Sequence, residues 1–294
     1  YDANIMPLRV LDDDGYGWTS DIISAVRWAA DRGADVINMS LGGGGYSQAM
    51  ADAISYATGQ GSVVVMAAGN SGGSSPDYPA AHAINQGIAV GAVDQNRSLA
   101  GFSNRAGSTE LDYVTAPGVN IYSAVPGGGY SNANGTSMAA PHVAGVAGLL
   151  KGHDRNLSPS SIEDLLTGSA SNSRASSSVS NSRASGAWRS QDTITAQTLS
   201  DFQDHELSGT LIASIDGNGK ERRSTLRQLK RGVRNNNAAY NGLDHVEVVD
   251  ASRNSFAVLE LSDARTVDQR SLLSNLLASD QFHYFEVEQK FSIV

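Results

Sequence analysis

The chain has 294 residues, 40% of them hydrophobic and 17% charged, which is the composition of a folded protein with a core of its own. It contains no cysteine, which excludes disulfides, thiolate metal ligands and a cysteine nucleophile. Its net charge is −9, and residues 1–170 carry 15 Asp/Glu against 7 Lys/Arg, which argues against nucleic acid as a partner. No run approaches the roughly 18 apolar residues of a membrane helix, so we expect no membrane contact.

Short apolar runs alternate with amphipathic stretches over residues 5–93, and this pattern predicts strand-helix-strand units in a parallel sheet. The predicted fold class of this part is therefore α/β. The strand candidates are apolar enough to be covered on both faces, and they are residues 5–11, 36–40, 62–67 and 88–93.

Four helices accompany these strands. The first is expected to begin at an N-cap, Thr19 or Ser20, and to end at Gly33. The second carries apolar residues at helical spacing over residues 50–57 and ends near residues 59–61. The third, residues 137–151, is rich in Ala and Val, so we expect it to be deeply buried. The fourth begins at Ser158-Pro159.

The composition changes after the fourth helix. Residues 168–197 read as a serine-rich linker in which Ser-Asn-Ser-Arg-Ala-Ser occurs twice. Residues 198–294 then predict a small ferredoxin-like α+β domain of β-α-β-β-α-β order. Its strands are expected at residues 210–216, 245–249, 256–261 and 282–291, and its helices at residues 223–234 and 267–277.

The segment Asn134-Gly135-Thr136-Ser137-Met138-Ala139-Ala140-Pro141-His142-Val143-Ala144-Gly145 places a serine at the start of a long apolar helix. The free backbone amides and the dipole of a helix N-terminus favour developing negative charge, so Ser137 is suited to nucleophilic attack. The alternative is a serine that only caps a buried helix.

The whole segment resembles the nucleophile motif of the subtilisin-like serine peptidases. Residues 8–17, 36–43, 63–70 and 111–118 agree with that family in order and spacing, and the resemblance covers about residues 1–166. It implies a subtilisin-like domain over residues 1–167 that hydrolyses peptide bonds through an acyl-enzyme on Ser137. Its partners would be protein or peptide substrates, and its location would be secreted or in the cell envelope.

The same resemblance assigns the other site residues. Asn70 would donate its side-chain amide to the oxyanion, beside the backbone N–H of Ser137. The substrate strand would lie between Gly15-Tyr16-Gly17 and Ser40-Leu41-Gly42, held by backbone hydrogen bonds. The pocket for the side chain before the scissile bond would be lined by Ala67, Ala68 and Gly69. Asp77 aligns with its base and would favour Lys or Arg in the substrate, the alternative being an ordinary loop aspartate.

The general base and the carboxylate of the catalytic triad are the main departure from the family pattern. The family carries them in an Asp-Thr-Gly or Asp-Ser-Gly segment and in a His-Gly-Thr segment, and neither occurs in this sequence. We therefore expect a domain that is incomplete at its N-terminus, with both residues upstream of Tyr1, and a chain that is inactive alone. The rival hypothesis is a non-catalytic peptide-binding protein.

Three further expectations concern ions and the C-terminal part. No cofactor is needed for the chemistry, although the family allows structural calcium, and Asp216-Gly217-Asn218-Gly219 is a weak candidate for it. The basic helix is interpreted as a solvated face or as a contact with the acidic peptidase part. Residues 279–289 resemble the closing strand of the subtilase propeptide, which implies either an inhibitor-like intramolecular domain or the start of a second unit in a longer tandem precursor; the alternative is an unrelated accessory domain.

Overall fold

The computed structural model describes residues 3–170, 193–194, 210–215, 219–235, 240, 243–248, 256–261, 269–279 and 281–294. The predicted calcium turn at residues 216–218 and most of the predicted linker lie outside these residues. In the first part the elements are β1 (Tyr16–Trp18), α1 (Thr19–Asp31), β2 (Val36–Met39), β3 (Leu41–Gly42), α2 (Gln48–Gly59), β4 (Val63–Ala67), β5 (Ile88–Val93), β6 (Tyr113–Pro117), β7 (Ile121–Val125), β8 (Gly129–Ala133), α3 (Thr136–His153) and α4 (Pro159–Ser169).

The first part is built on a four-stranded parallel sheet of order β2-β4-β5-β6, which confirms the predicted α/β class. Side chains of β4 alternate between its two faces. Val64 and Met66 pack with α1 and α2, whereas Val63 and Val65 pack with α3 and α4. All five residues of β4 are buried, as a strand covered on both faces requires.

Local signals explain the helix ends. Ser47 caps α2, because its hydroxyl accepts a hydrogen bond from the Met50 N–H, and Ser158 caps α4 in the same way. The chain leaves α1 through Gly33, whose φ of 73° is easy only for glycine. Thr19 does not cap α1 as predicted. It lies inside the helix, and its hydroxyl instead donates to the Gln289 carbonyl oxygen at 2.8 Å.

Two other expectations for this part are wrong. Residues 5–11 form no strand; Ile5 is 85% exposed, and β2 pairs only with β4 among the described strands. Apolar character alone cannot make a strand without a hydrogen-bonding neighbour. The helix α3 is buried only on its sheet-facing side, since Val146 and Leu149 are 46% and 71% exposed.

The C-terminal part forms a second sheet, which is antiparallel and has the order β11-β12-β10-β13-β9. Its elements are β9 (Thr193–Ile194), β10 (Thr210–Ile215), α5 (Gly219–Arg234), β11 (Leu243–Val248), β12 (Phe256–Leu261), α6 (Gln269–Leu277), β13 (Phe282–Val287) and β14 (Lys290–Ile293). The short strand β9 lies within residues 168–197, which were predicted to be linker.

The two faces of this second sheet have different neighbours. Leu211 and Ala213 of β10 pack with Leu226 and Leu229 of α5 on one face. Ile212, which points to the other face, packs in one cluster with α1 and α2, together with Phe256 and Tyr284. The sheet therefore rests on the α1–α2 surface of the first part, and α5 lies on the far side. Of the two interpretations of the basic helix, this arrangement agrees with the solvated face and not with a contact to the acidic first part.

The predicted strand over residues 282–291 is two strands in the structure. β13 ends at Val287, and after Glu288 and Gln289 the chain continues as β14, which leaves the second sheet. β14 becomes the middle strand of a separate antiparallel sheet of order β1-β14-β3. Sequence periodicity could not show this break, because both strands alternate in the same way.

Polar side chains hold the crossing from β13 to β14 against the first part of the chain. The Glu286 carboxylate is 2% exposed and accepts hydrogen bonds from the Ser47 hydroxyl at 2.8 Å and from the Ala49 N–H at 3.2 Å, at the N-terminus of α2. Tyr284 donates its hydroxyl to Asp52 at 2.8 Å. Burial, reinforced by the carboxylates of Asp52 and Glu286, raises the pKa of Tyr284, so it stays a neutral donor.

We predict that Glu286→Ala lowers the free energy of unfolding by about 1–3 kcal/mol, because it leaves buried N–H and hydroxyl donors of α2 without an acceptor. Urea unfolding of the full chain measures the change. The control is Glu260→Ala, which removes the same charge from an exposed position of the same sheet. Equal effects of the two substitutions would show that Glu286 does not support α2.

A second buried carboxylate is carried by α4 itself. Glu163 is 6% exposed and accepts a hydrogen bond from the Gly87 N–H at 3.0 Å. Burial raises the pKa of Glu163 more than this hydrogen bond lowers it, and the carboxylates of Asp112 and Asp164 raise it further. A carboxyl whose folded pKa is raised costs stability as the pH rises from its unfolded pKa through its folded pKa.

We therefore predict that Glu163→Gln raises the free energy of unfolding more at pH 7 than at pH 4, because glutamine keeps the acceptor and carries no charge. Urea unfolding at the two pH values measures the difference. Glu110→Gln, which removes a carboxylate from an exposed position, is the control. A gain from Glu163→Gln that is the same at both pH values would contradict the assignment.

Candidate active site

The start of α3 carries the predicted nucleophile. Ser137 is 6% exposed and is the second residue of the helix, and Gly135 is the residue before the helix. A side chain on Gly135 would crowd the site, because a Cβ there would lie 3.2 Å from Nδ2 of Asn70 and 3.4 Å from the carbonyl oxygen of Val294. Glycine therefore leaves room for a chain that approaches the serine.

Three hydrogen bonds hold Ser137. Its backbone N–H donates to the Val294 carbonyl oxygen at 3.1 Å. Its hydroxyl donates to the Ser40 carbonyl oxygen at 3.0 Å, and its own carbonyl oxygen accepts from the Ser40 hydroxyl at 2.9 Å. The serine is thus joined to the end of β2 on one side and to the end of β14 on the other.

Asn70 lies beside Ser137 with a fixed side chain. Its Oδ1 accepts hydrogen bonds from both the N–H and the hydroxyl of Thr136, at 2.9 and 3.0 Å. The oxygen is thereby occupied, and the amide Nδ2 is left on the side of Gly135. Thr136 is also tied to the preceding loop, because its Oγ1 accepts from the Gly69 N–H at 3.1 Å. Sequence reasoning named Asn70 and missed Thr136, although Thr136 stands within the motif.

The two predicted substrate strands lie on either side of β14. Tyr16 and Gly17 pair with Ser292 and Phe291, while Leu41 and Gly42 pair with Ile293 and Ser292. The Gly15 carbonyl oxygen accepts from the Ile293 N–H at 3.3 Å. The structure therefore brings every residue of both predicted segments to one cleft, and that cleft holds a strand of the same chain.

Side chains of β14 alternate between the protein and solvent. Phe291 is 1% exposed, whereas Ile293 is 67% exposed. Phe291 packs in the cluster of α1 and α2, and a Cβ on Gly44 would lie 2.9 Å from its ring. Glycine at position 44 thus makes space for an aromatic side chain three residues before Val294.

The predicted pocket residues also come together. Ala67 and Ala68 are buried, and Gly69 has a φ of 104°, which favours glycine. A Cβ on Gly69 would lie only 2.2 Å from Oδ2 of Asp77, so the aspartate lies against this turn. Val294 packs against the cluster that contains Ala67, and its carbonyl oxygen accepts a hydrogen bond from the Ser137 N–H.

Asn104 supports this turn and was not predicted. It is fully buried, and its Oδ1 accepts hydrogen bonds from the N–H and hydroxyl of Ser71 and from the Gly73 N–H. Its Nδ2 donates to the Ala68 carbonyl oxygen at 3.1 Å. One side chain therefore fixes both ends of the turn that carries Asn70. No sequence signal distinguishes Asn104 from an ordinary loop asparagine.

None of the described histidines hydrogen-bonds the Ser137 hydroxyl. His142 bonds the Met138 carbonyl oxygen through Nδ1, within α3. His82 packs against the rings of Tyr46 and Tyr78, and burial lowers its pKa to about 4, so it is neutral. His205 lies outside the described residues. The described part of the chain also groups no His, Asp and Glu side chains that could hold a metal ion, and none of its helices is long and apolar enough to cross a membrane.

Known proteins resemble this chain in sequence and in structure. A family model described as Peptidase_S8, subtilase family, matches residues 1–219. Subtilisin DY of Bacillus licheniformis is 44% identical over 174 residues, which are 58% of this chain and 62% of that protein. Thermitase of Thermoactinomyces vulgaris is 45% identical over 156 residues, which are 53% of this chain and 54% of that protein.

A solved structure gives the same result. That of a cold-adapted subtilisin-like serine proteinase matches with a TM-score of 0.51 and 40% identity, over 56% of this chain and 62% of that one. This chain thus spans between half and two thirds of the length of these relatives. Their likeness supports a subtilisin-like α/β fold for the part that carries Ser137 and Asn70. Since the family model matches well over half of the residues, the chain belongs to the subtilase family.

Proposed function

We propose that this chain provides the nucleophile, the oxyanion donors and the substrate cleft of a serine endopeptidase. The observation that carries the proposal is the position of the Val294 carbonyl oxygen. This oxygen accepts a hydrogen bond from the Ser137 N–H, and it lies on the side of Gly135 where Asn70 presents its amide. A carbonyl oxygen held in this way is in the position where negative charge develops when a serine attacks a peptide bond.

The proposed reaction uses these groups in two steps. The Ser137 Oγ attacks the carbonyl carbon of the scissile peptide and gives its proton to a general base, which passes it to the leaving amine. The Ser137 N–H and the Asn70 amide stabilise the oxyanion, and because Thr136 already fixes Asn70, no reorganisation is needed. Water then hydrolyses the acyl-enzyme and restores the serine.

The general base and its carboxylate would come from residues outside this sequence. The absence of both triad segments from the sequence supports this, as does the Ser137 hydroxyl, which donates to the Ser40 carbonyl oxygen rather than to a described histidine. A serine without a base is a weak nucleophile, so we propose that the isolated chain is inactive or nearly so.

Labelling with a fluorophosphonate tests the proposed activity. The full chain is extended upstream of Tyr1 with the part of thermitase that precedes the matched region, and Phe291→Ala is added to loosen β14. We predict that the extended protein reacts at Ser137 and that the unextended chain reacts very slowly. Ser137→Ala should abolish labelling, and the matched control Ser131→Ala, exposed on β8, should keep it.

Two results would contradict this proposal. Labelling that survives Ser137→Ala would place the nucleophile elsewhere. An extended protein that is folded, and whose cleft binds a peptide, but that never reacts would favour the rival function, a non-catalytic peptide-binding protein.

We also propose that the C-terminal part is a ferredoxin-like, inhibitor-like domain of its own chain. Its β-α-β-β-α-β order and the position of β14 between β1 and β3 support this. The backbone groups of β1 and β3 that would hold a substrate are hydrogen-bonded to β14, and the Ser137 N–H is hydrogen-bonded to Val294. A substrate therefore has to displace β14 before it can bind.

Inhibition in trans tests this role. Residues 193–294 have an apolar core composed only of their own residues, so they are suitable as a separate protein. We predict that they inhibit a complete subtilase competitively. Phe291→Ala should weaken inhibition about 100-fold or more, because it empties a buried aromatic position. Ile293→Ala, in the same strand but exposed, should change it little. No inhibition, or equal losses for the two variants, would support the unrelated accessory domain.

Substrate preference and location remain predictions. The position of the Asp77 carboxylate against Gly69 supports a preference for Lys or Arg, whereas Val294 supports a small apolar residue. Equal cleavage of peptides with Arg or Phe before the scissile bond would exclude the charged preference. Structural calcium and a secreted or envelope location are proposed only from the family.

A further inference from the structure

The helix α5 carries a narrow row of positive charges that the peptidase function does not use. This basic stripe consists of Arg223, Arg227, Lys230, Arg231 and Arg234, all of which are exposed. At 100° per residue, the five side chains fall within an arc of about 100°, and at 1.5 Å per residue the stripe is about 16 Å long.

The stripe faces away from the described first part of the chain, residues 3–170. Leu226 and Leu229 of α5 are buried against the second sheet, whose opposite face rests on α1 and α2. The acidic peptidase part of the same chain therefore lies behind the sheet and cannot pair with the stripe. The stripe is left to solvent or to another molecule.

Within α5, these charges have no acidic neighbour on their own side of the helix. The one acidic residue of the helix, Glu221, lies about 160° around the axis from Arg223. Within the described part of the chain, no stripe residue forms a salt bridge. Like charges three and four residues apart on a helix repel and destabilise it. The stripe is thus a cost to the isolated domain, and a bound polyanion would relieve it.

We propose that the basic stripe binds a linear acidic polysaccharide, which carries carboxylate or sulfate groups along an extended chain. Four of the five residues are arginines, whose planar guanidinium groups form paired hydrogen bonds with such groups. A narrow straight row of cations matches a single extended polyanion, which can follow the helix without approaching the acidic peptidase part.

Other polyanions fit the surface less well. A membrane-bound amphipathic helix inserts its apolar side, but the apolar side of α5 is already buried in the second sheet. Proteins that bind single-stranded nucleic acid stack bases on aromatic side chains, and α5 contains no aromatic residue. Duplex DNA is a wide rod with phosphates along two strands, and a single row of five cations on one helix contacts only a small part of it.

Binding to immobilised polysaccharides tests the proposal with the full chain. The probes are heparin and polygalacturonate, with dextran as the neutral control, and duplex DNA and phosphatidylserine vesicles as rival partners. We expect binding to both acidic polysaccharides at low salt and loss of binding near 0.5 M NaCl, about where the screening length falls to a few ångströms.

The matched variants separate the stripe from the total charge. The triple substitution Arg223→Gln, Arg227→Gln and Arg231→Gln should weaken polysaccharide binding at least about tenfold, and glutamine keeps helix propensity. The control removes the same charge from exposed sites of the peptidase part, through Arg97→Gln, Arg105→Gln and Arg155→Gln. Circular dichroism confirms that both proteins fold.

The possible outcomes are distinct. Binding that is lost in the stripe variant and kept in the control supports the proposal. It is overturned if neither polysaccharide binds, if both triple variants lose binding equally, or if only DNA or vesicles bind. The readouts do not involve peptide hydrolysis, so they do not depend on the proposed peptidase function.

Discussion

The backbone pairing of β14 is the interaction on which the rest of this structure depends. β1 and β3 do not pair with each other; each pairs with β14, so among the described strands β14 supplies the backbone hydrogen bonds that link the two walls of the cleft. The same strand delivers Val294 to Ser137 and Phe291 to the α1–α2 cluster. The geometry of the site and the packing of Phe291 against α1 and α2 therefore both depend on the position of β14.

That contact is stabilised by polar groups that are paired with the first part of the chain on both sides of the crossing. Glu286 caps α2 just before the crossing, and Gln289 exchanges hydrogen bonds with Thr19 and accepts one from the Gly45 N–H. Buried polar groups are costly when unpaired, so these pairs fix where the strand crosses and in which register it lies. The apolar contacts supply most of the attraction, and the polar ones supply its direction.

The sequence was most informative where periodicity and caps act locally. The parallel strands β2, β4 and β5, the Ser158 cap and the order of elements in the C-terminal part all follow from such signals. Ser137 and Asn70 could be named because a long motif fixes them. The expectations that failed depend on distant neighbours: residues 5–11 lack a pairing strand, and Thr19 bonds a residue 270 positions away. Asn104 acts through contacts that no local pattern reveals. Thr136 lies within the motif, but its hydrogen bonds to Asn70, which is 66 positions away, are not visible in that motif.

In the proposed function, the crossing of β14 into the cleft makes its competition with a substrate intramolecular. Strand and serine belong to one polypeptide, so the local concentration of the strand is set by the tether and is unaffected by dilution. Tethers of this kind give effective concentrations of about millimolar. A free peptide that binds the open cleft as tightly as β14 does would still need a concentration above this effective concentration to displace the strand. Access to the cleft would therefore depend more on how easily the C-terminal sheet separates from α1 and α2 than on how tightly the open cleft binds a substrate.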